Sequence, residues 1–511
     1  MRDSKIINGE QKLEQIANKL KKQGKKIVLC HGVFDLLHIG HIKYLQDSSK
    51  KGEVLFVTVT EKSFVNKTPV RPFFSNADRV EAVSALDCVS YVMLNKSKTA
   101  VNIIKILKPD FYCKGPDYKN FKDDLTGEII NELKVLKQNG GKFYVTNTPS
   151  YSSSNLLNNN FNTYSKNIRE NLKKIKKKFP KRMNLEKEFK KLQNQKVVVI
   201  GETIIDEYTY CEALGKSGKE PILNFKEINT EKFLGGSLAI ANHLSSFCKE
   251  VKLISFIGDD LKYLKFIKQN LKKNVKFLYL TKKNTTTIVK KRLVEGINNF
   301  KLLGIYQLDE KENTSSENKN LYKLINKEVK KNDILLIGDY NHGIINNDVA
   351  KFISKKRKYN FNLMSQINSS SLSNYALKKY KFPHLIVINE RELRHEFRDK
   401  NSKTELLIKK YSNDYFCKNV IVTAGKNGFY YFNKDINKVL KYDAFTDKFI
   451  DKIGAGDVIF ATLSLFLSSK LNRDLSMMMS SIAGHFAVNT IANKNFLELD
   501  KLKNSLLNLL K

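Results

Sequence analysis

The sequence predicts an α/β protein of two units, each a parallel sheet covered by helices, the second carrying a small β lid. Three observations predict it. Short apolar runs alternate with longer helical patterns along most of the chain, as strands alternate with crossover helices. A lysine- and asparagine-rich stretch interrupts the alternation at 159–195. At 511 residues the chain also exceeds one ordinary domain.

In the first unit, 1–158, the apolar run 26–30 predicts a buried strand, 39–50 a helix and 53–60 the next strand. Residues 75–86 predict a helix with Ser75 as N-cap and Asp78 in its first turn. Short strands are expected near 89–94, 110–113 and 142–146. Residues 159–195 predict a basic helical linker broken at Pro180. Its lysine cluster at 173–178 suits a solvated connector better than an anion site. The second unit, 196–511, opens on the strand Lys196-Val197-Val198-Val199-Ile200-Gly201. Strand-like stretches near 208–212, 222–226, 286–293 and 297–305 crowd together and predict the lid. Regular alternation resumes at Ile334, and no internal repeat relates the two halves.

Composition narrows the class. The net charge of +38 comes from lysines spread over the whole chain, without an aromatic-basic platform. Biased residue usage explains most of that charge and anionic small substrates some of it; nucleic acid is not an expected partner. The six cysteines are scattered with no CxxC pair, which suits reduced thiols and no zinc site. No apolar run approaches the roughly 20 residues of a membrane helix. Met1 is followed by polar residues rather than an apolar leader, so a cytoplasmic location and no membrane partner are expected.

Chemistry concentrates at two places. The first is Gly32-Val33-Phe34-Asp35-Leu36-Leu37-His38-Ile39-Gly40-His41, between the first predicted strand and its helix. In an open α/β sheet a ligand is expected beyond the carboxyl end of such a strand. The helix N-terminus offers N–H groups and partial positive charge to phosphate. Gly40 permits close approach of a nucleotide, and His38 and His41 can steady charge at an attacked phosphorus. The attacking group would be the substrate's own phosphate.

These ten residues resemble the cytidylyltransferase-like nucleotidyltransferases over about 25–158, which implies a Rossmann-like domain. The resemblance places Gly32, Phe34, Asp35, Gly40, Arg71 and Arg79 at the nucleotide. It also places Ser152, Ser153 and Ser154, within Tyr151-Ser152-Ser153-Ser154-Asn155, at the β- and γ-phosphates. Lys114-Gly115-Pro116-Asp117-Tyr118 is similar to a loop of the heptose-1-phosphate adenylyltransferases. That similarity implies Lys114, Asp117 and Tyr118 near a sugar phosphate, although Pro116 stands where those enzymes usually have Gly. It also implies ATP rather than CTP; the residues themselves are compatible with either.

The second place is Asp451-Lys452-Ile453-Gly454-Ala455-Gly456-Asp457, opening a long apolar helix. Gly454, Ala455 and Gly456 are small enough for backbone N–H groups to close around a phosphoryl group. Asp457 is placed to accept a proton from an attacking hydroxyl. Phosphoryl transfer needs little beyond positioning, charge neutralisation and such a base.

The segment 196–511 resembles the ribokinase/PfkB sugar kinases in several ordered motifs. Gly201-Glu202-Thr203-Ile204-Ile205-Asp206, Gly235-Gly236 and Asp339-Tyr340-Asn341-His342-Gly343 carry it on the sugar side. The resemblance implies that Asp206, Gly235, Gly236 and Asp339 meet the sugar. Asn389-Glu390-Arg391-Glu392 and Val422-Thr423-Ala424-Gly425-Lys426-Asn427-Gly428 carry it on the nucleotide side. It implies Thr423, Gly425 and Gly428 at ATP, and Asn389 and Glu392 near a Mg²⁺ that no residue binds directly. Ala239 stands where relatives usually carry Asn, with Asn242 further along, and Lys452 and Ile453 replace a usual Thr pair. Lys290, Lys291 and Arg292 lie on a predicted lid strand, equally suited to a phosphate on the sugar or to solvent.

Together the two segments resemble the bifunctional heptose-7-phosphate kinase/heptose-1-phosphate adenylyltransferases, with the domains in the opposite order. The resemblance implies phosphorylation of an anomeric hydroxyl and then nucleotidyl transfer to the sugar 1-phosphate. ATP, Mg²⁺ and sugar phosphates are the implied small-molecule partners, and a homodimer is compatible with the reading. Another sugar or polyol with CTP, or a regulatory protein with one inactive domain, stays open at this point.

Overall fold

The computed structural model describes residues 5–65, 69, 71–118, 128–147, 164–297, 299–308, 311–355, 360–367, 379–446 and 449–510. The chain divides into two compact units, Met1–Tyr164 with Lys503–Lys511, and Ser165–Leu502.

In the first unit strands and helices alternate as β1 (Ile6–Ile7), α1 (Glu10–Lys22), β2 (Ile27–Gly32), α2 (Ile39–Ser49), β3 (Val54–Thr60) and α3 (Asn76–Ser84). They continue as β4 (Tyr91–Asn95), α4 (Val101–Leu107), β5 (Phe111–Lys114), α5 (Ile129–Gln138) and β6 (Lys142–Val145). The sheet order is β1-β4-β3-β2-β5-β6, every pairing parallel. Buried residues of β2 point to both faces: Ile27 and Leu29 pack with α1 and α4, Val28 and Cys30 with α2 and α3. That double burial explains the unbroken apolar run. Strand order reverses between β2 and β5, so a crevice lies beyond their carboxyl ends. Ser75 caps α3 in a full capping box with Asp78. The pair β1 and α1 was not anticipated; β1 extends the sheet beside β4.

The second unit starts with α6 (Lys166–Lys178) and α7 (Arg182–Gln193), which flank Pro180. Of the stretch expected as a solvated linker, residues 165–195 belong to this unit. Ser165 donates to Asp443 at 2.7 Å, and Asn472 N–H donates to Glu188 at 2.9 Å. Ile168, Leu172 and Ile175 are buried at helical spacing, so the lysines of α6 form only its outer face.

Next come β7 (Lys196–Gly201), β8 (Thr203–Lys216), β9 (Leu223–Gly235), α8 (Gly236–Ser245), β10 (Glu250–Gly258) and α9 (Leu264–Asn270). They are followed by β11 (Val275–Lys282), β12 (Ile288–Glu295), β13 (Lys301–Gln307), α10 (Ser315–Glu328), β14 (Ile334–Asp339) and α11 (Asn347–Ser354). Then come β15 (Phe361–Ser365), β16 (Leu385–Asn389), α12 (Glu390–Phe397), α13 (Thr404–Asp414) and β17 (Asn419–Thr423). The chain closes with β18 (Phe429–Asn433), β19 (Lys438–Tyr442), α14 (Ala455–Ser468), α15 (Arg473–Val488) and α16 (Leu499–Leu509).

The main sheet runs β11-β10-β7-β14-β15-β16-β17-β18-β19, parallel from β11 to β17 and antiparallel at β18 and β19. A separate sheet, β13-β12-β8-β9, forms the lid. Two of its strands, β8 and β9, are longer than expected because they form one extended antiparallel pair, while β12 and β13 are no longer than the stretches expected. The helix α14 is buried from Asp457 to Phe466, which accounts for its nearly continuous apolar run. No helix among the described residues is long and apolar enough to cross a membrane.

The centre of the main sheet tolerates no side chain at one position. A Cβ on Gly201 of β7 would lie 2.1 Å from the carbonyl oxygen of Gly338 on β14. Gly201→Ala is therefore expected to cost about 1–3 kcal/mol, the scale of overpacking. Gly218→Ala, where an added Cβ meets nothing within 4 Å, should leave stability unchanged. Urea denaturation of both variants checks the contrast.

Candidate active sites

In the first unit, β2 delivers the loop His31–Asp35 to the crevice, and His38 caps α2. The His38 Nδ1 accepts the N–H of Gly40 at 3.1 Å, so the imidazole satisfies one of the free N–H groups that open the helix. The rings of His38 and His41 stack at 4.1 Å between centroids, and Phe34 meets His41 edge-on at 5.4 Å. Phe34 adopts a positive φ of 48°. The added Cβ of a residue at Gly32 would press on its ring at 3.0 Å. The histidines expected to work together are therefore brought together.

Asp35 is buried; its Oδ1 accepts the N–H groups of Phe73 at 2.7 Å and Phe74 at 3.2 Å, while Oδ2 has no hydrogen-bond partner among the described residues. It joins the β2 loop to the segment carrying Arg71. Arg71 is buried nearby, and burial lowers its pKa while Tyr164 and Asp35 favour its charge.

Arg79, expected at the triphosphate, is placed differently. It is 1% exposed. Its guanidinium donates to the carbonyls of Val33 and Thr60, both at 2.8 Å, and to Asn76 Oδ1 at 2.6 Å. It binds loop backbone, which explains the need for a planar group with several donors.

Lys114 ends β5 beside β2, where its ammonium donates to the His31 carbonyl at 3.2 Å and pairs with buried Glu132 at 3.9 Å. The Tyr118 ring lies 4.8 Å from the ammonium. Lys114 thus sits at the reversal of strand order; the resemblance had implied a place near a sugar phosphate. Asp117 falls in the turn Pro116–Tyr118. Ser152, Ser153 and Ser154 lie outside the described residues. His31 was overlooked: its Nδ1 lies 2.9 Å from Thr58 Oγ1, and burial, followed by the Lys114 charge, lowers its pKa to about 3. The imidazole of His31 is therefore neutral.

In the second unit a cavity of about 830 Å³ opens beyond the carboxyl ends of β14 to β17. Gly454, Ala455, Gly456 and Asp457 line it from the first turn of α14; Asp206, Lys290, Arg292 and Tyr306 line it from the lid. Gly236 lines the same space, as do Asn389 and Glu392 after β16 and Thr423, Gly425 and Gly428 after β17. Gly454 caps α14 with a φ of 84°, and a Cβ there would lie 2.3 Å from Asn493 Oδ1. Glycine is required for both reasons.

Asp457 is buried, and its Oδ1 accepts the Tyr340 hydroxyl at 2.7 Å. Burial raises its pKa to about 7; Tyr340 opposes the rise, Asp206 adds to it and Lys290 opposes it. A carboxylate near neutrality suits proton acceptance. Asp206 takes an ion pair from Arg292 at 2.6 Å. Gly235 makes room for that carboxylate: a Cβ there would lie 2.3 Å from Asp206 Oδ2. Lys290 and Arg292 share the cavity face of β12, while Lys291, between them, pairs with Glu207 at 3.7 Å. Strand alternation thus separates three cations that the sequence reading had grouped.

Asp339 and Asn242 are not at the cavity wall. Asp339, expected at the sugar, is fully buried and held by Lys379 at 2.7 Å and the Tyr380 hydroxyl at 2.8 Å. Asn242 donates to the Asn270 carbonyl and accepts the Lys272 N–H. Asp451 also has a framework role. Its carboxylate accepts the Tyr208 hydroxyl at 2.7 Å, Ile453 N–H at 3.0 Å and Ala492 N–H at 3.1 Å, and pairs with Lys301.

Asn389 and Glu392 form a capping box at α12. Asn389 Oδ1 accepts the N–H groups of Arg391 and Glu392, while Glu392 accepts those of Asn389 at 3.0 Å and Ile367 at 3.1 Å. No group of three or more His, Cys, Asp or Glu among the described residues is arranged for direct metal coordination. Each Glu392 oxygen accepts one N–H and keeps capacity for a water. That fits Mg²⁺ held through its own waters, which it sheds reluctantly.

A family model described as pfkB family carbohydrate kinase matches residues 194–489, and one described as cytidylyltransferase-like matches 29–159. The chain is similar to the bifunctional protein HldE of Aliarcobacter butzleri (strain RM4018). The two are 39% identical over 140 residues, covering 27% of this chain and 29% of the relative. It is similar also to the bifunctional protein HldE of Campylobacter jejuni subsp. jejuni serotype O:6, 28% identical over 342 residues, covering 63% of this chain and 70% of that protein. The first of these matches therefore spans less than a third of the relative's length. Among solved structures, phosphofructokinase-2 from Escherichia coli in complex with potassium superposes with a TM-score of 0.50 at 16% identity, covering 62% of this chain and 99% of that one. The same enzyme in complex with substrates and products gives a TM-score of 0.50 at 15% identity, covering 61% and 99%. With the family matches, these likenesses establish a Rossmann-like nucleotidyltransferase fold and a ribokinase-like fold with its lid.

The placement of Arg79 has a measurable consequence. Arg79→Met leaves buried carbonyls unpaired and is expected to lower stability by about 2–4 kcal/mol. Urea denaturation without nucleotide checks it. An unchanged midpoint with weakened nucleotide binding would return Arg79 to the phosphates.

Proposed function

From membership of the pfkB family of carbohydrate kinases, to which the chain belongs, we propose a bifunctional enzyme of nucleotide-sugar synthesis. The second unit phosphorylates the anomeric hydroxyl of a sugar phosphate, a heptose 7-phosphate in the preferred reading. After the 7-phosphate is removed elsewhere, the first unit transfers a nucleotidyl group from ATP to the sugar 1-phosphate, giving an ADP-sugar and pyrophosphate. The similarity to the two HldE proteins supports the heptose, and the paired phosphate sites support two consecutive steps.

The observation that carries the kinase reading is the meeting of Asp457, the small turn Gly454–Gly456 and two lid cations in one cavity. Asp457 takes the proton of the sugar hydroxyl as that oxygen bonds to the γ-phosphorus, and the bond to ADP breaks. The helix turn receives the transferred phosphoryl group. Thr423, Gly425 and Gly428 border the nucleotide, and Asp206, Gly235 and Gly236 border the sugar. Lys290 and Arg292 put two positive charges on the wall opposite the base, which suits a phosphate already on the sugar. Glu392 and Asn389 would hold Mg²⁺ through its waters, where it would neutralise phosphate charge.

In the first unit, an oxygen of the sugar 1-phosphate attacks the α-phosphorus and pyrophosphate leaves. His38 and His41 stabilise the developing charge. Gly32, Phe34, Asp35, Gly40 and Arg71 shape the nucleotide side, with Ser152, Ser153 and Ser154 assigned to the outer phosphates. Lys114, Asp117 and Tyr118 take the sugar phosphate.

Asp457→Asn is expected to lower ADP release from ATP in the presence of the sugar phosphate by about 10²–10⁴-fold, the range for a general base. Pyrophosphate release from sugar 1-phosphate and ATP should persist in that variant. His41→Ala should do the reverse. Parallel loss of both activities in each variant would overturn the assignment of separate sites. Separately, Lys290→Met and Arg292→Met should each raise KM for the phosphorylated sugar at least about tenfold, the worth of one charge-assisted contact, leaving KM for ATP unchanged. Steady-state kinetics with each substrate varied checks this.

A further inference from the structure

We propose that Tyr340 is a positioning residue for the kinase reaction, its hydroxyl fixing and tuning the proton-accepting carboxylate of Asp457. The inference rests on the reading of Asp457 as the base and adds a residue to that reading. Tyr340 is buried, and its hydroxyl lies 2.7 Å from Asp457 Oδ1 although the two are 117 residues apart in sequence. A hydroxyl donating to Oδ1 fixes the plane of the carboxylate and leaves Oδ2 for the substrate hydroxyl. It also favours the charged form.

The turn that carries Tyr340 is held from every side. Glu202, at the end of β7 and fully buried, accepts the N–H of Tyr340 at 2.9 Å and of His342 at 3.3 Å. Asp339, one residue before, is fixed by Lys379 and Tyr380 and accepts the N–H of Asn341 at 3.0 Å. Asn341 adopts a φ of 56°, and its side chain donates to the Gln366 carbonyl at 2.7 Å and to Ser365 Oγ at 3.2 Å. Two buried carboxylates and a left-handed asparagine are costly in a turn and persist only where the surroundings determine them. What the turn delivers to the cavity is one phenol, aimed at Asp457.

The charges facing Asp457 are few. Asp206 opposes its ionisation and Lys290 favours it from the lid, where Arg292 partly neutralises Asp206. Behind the turn stand Glu202 and the Asp339–Lys379 pair, and His342 stays neutral, its pKa lowered to about 3 by burial and then by Lys290. Against this background the Tyr340 hydrogen bond is the largest influence holding the Asp457 pKa down.

The test is the pH dependence of kcat/KM for sugar phosphorylation by the full chain, whose acidic limb reports the base in the free enzyme. Tyr340→Phe removes the donor without changing the ring. Its acidic limb is expected to move up by about one pH unit, with a roughly tenfold loss of kcat/KM below that limb and unchanged nucleotidyl transfer. Replacement of Tyr340 by 3-fluorotyrosine keeps the shape and makes the phenol a stronger donor; its limb should move down. The fluorinated protein decides the question if the Phe variant does not fold. Acidic limbs coincident with wild type in the variants that fold would overturn the role of Tyr340. If Asp457→Asn turns over at the wild-type rate, the base assignment itself falls; if Asp457→Asn is inactive and the limbs do not move, only the Tyr340 inference falls.

Discussion

The second unit is organised around one constraint: a carboxylate must stay able to ionise in a place that opposes its charge. Asp457 sits in the first turn of a helix buried along nearly its whole length. The helix N-terminus offers partial positive charge, and the Tyr340 phenol and Lys290 add to it. Burial and Asp206 work the other way. The balance leaves the carboxyl near neutrality, where it exists in both forms. Gly454 follows from the same geometry, because a side chain there would meet Asn493.

Asp451 ties that turn to the lid. One carboxylate accepts from Tyr208 on β8, pairs with Lys301 on β13, and accepts backbone N–H groups of Ile453 and Ala492. The lid strands that present Asp206, Lys290 and Arg292 are therefore fastened to the turn that presents Asp457. The first unit answers an equivalent need with cationic and neutral groups. Arg79 binds the ends of the β2 loop and β3 through their carbonyls, and His38 caps the helix that carries His41. Each site is thus a short turn at a strand or helix end, held by a buried ionisable side chain that does not face the ligand space.

This division explains what was legible in the sequence. Glycines, histidines and aspartates at the ends of parallel strands sit within a few residues of one another, so local order pointed to the two candidate sites and to the α/β class. The partners of those residues are distant in sequence. Tyr340 with Asp457, Asp339 with Lys379 and Arg79 with Val33 are contacts no short window contains. Motif positions such as Arg79 and Asp339 were consequently read as ligand contacts, whereas the framework contacts they make were not anticipated. The NxxE stretch shows the same effect, since a capping box and a phosphate-side motif have one spelling. The helix α1 was missed for another reason. Leu13, Ile16, Ala17 and Leu20 do recur at helical spacing, but the charged residues among them drew it into an unassigned N-terminal stretch.

The alanine at 239 gains a physical meaning in this setting. It is fully buried in α8 and is not at the cavity wall, and Asn242 one turn on is committed to the 270–272 backbone. No amide from this helix therefore reaches the sugar side in the way the resemblance implied. The charged groups that the lid presents to the cavity are Asp206, Lys290 and Arg292. Two cations and one carboxylate discriminate by charge more than by the pattern of hydroxyls. Under the proposed reading, recognition then rests on the phosphate that the sugar already carries.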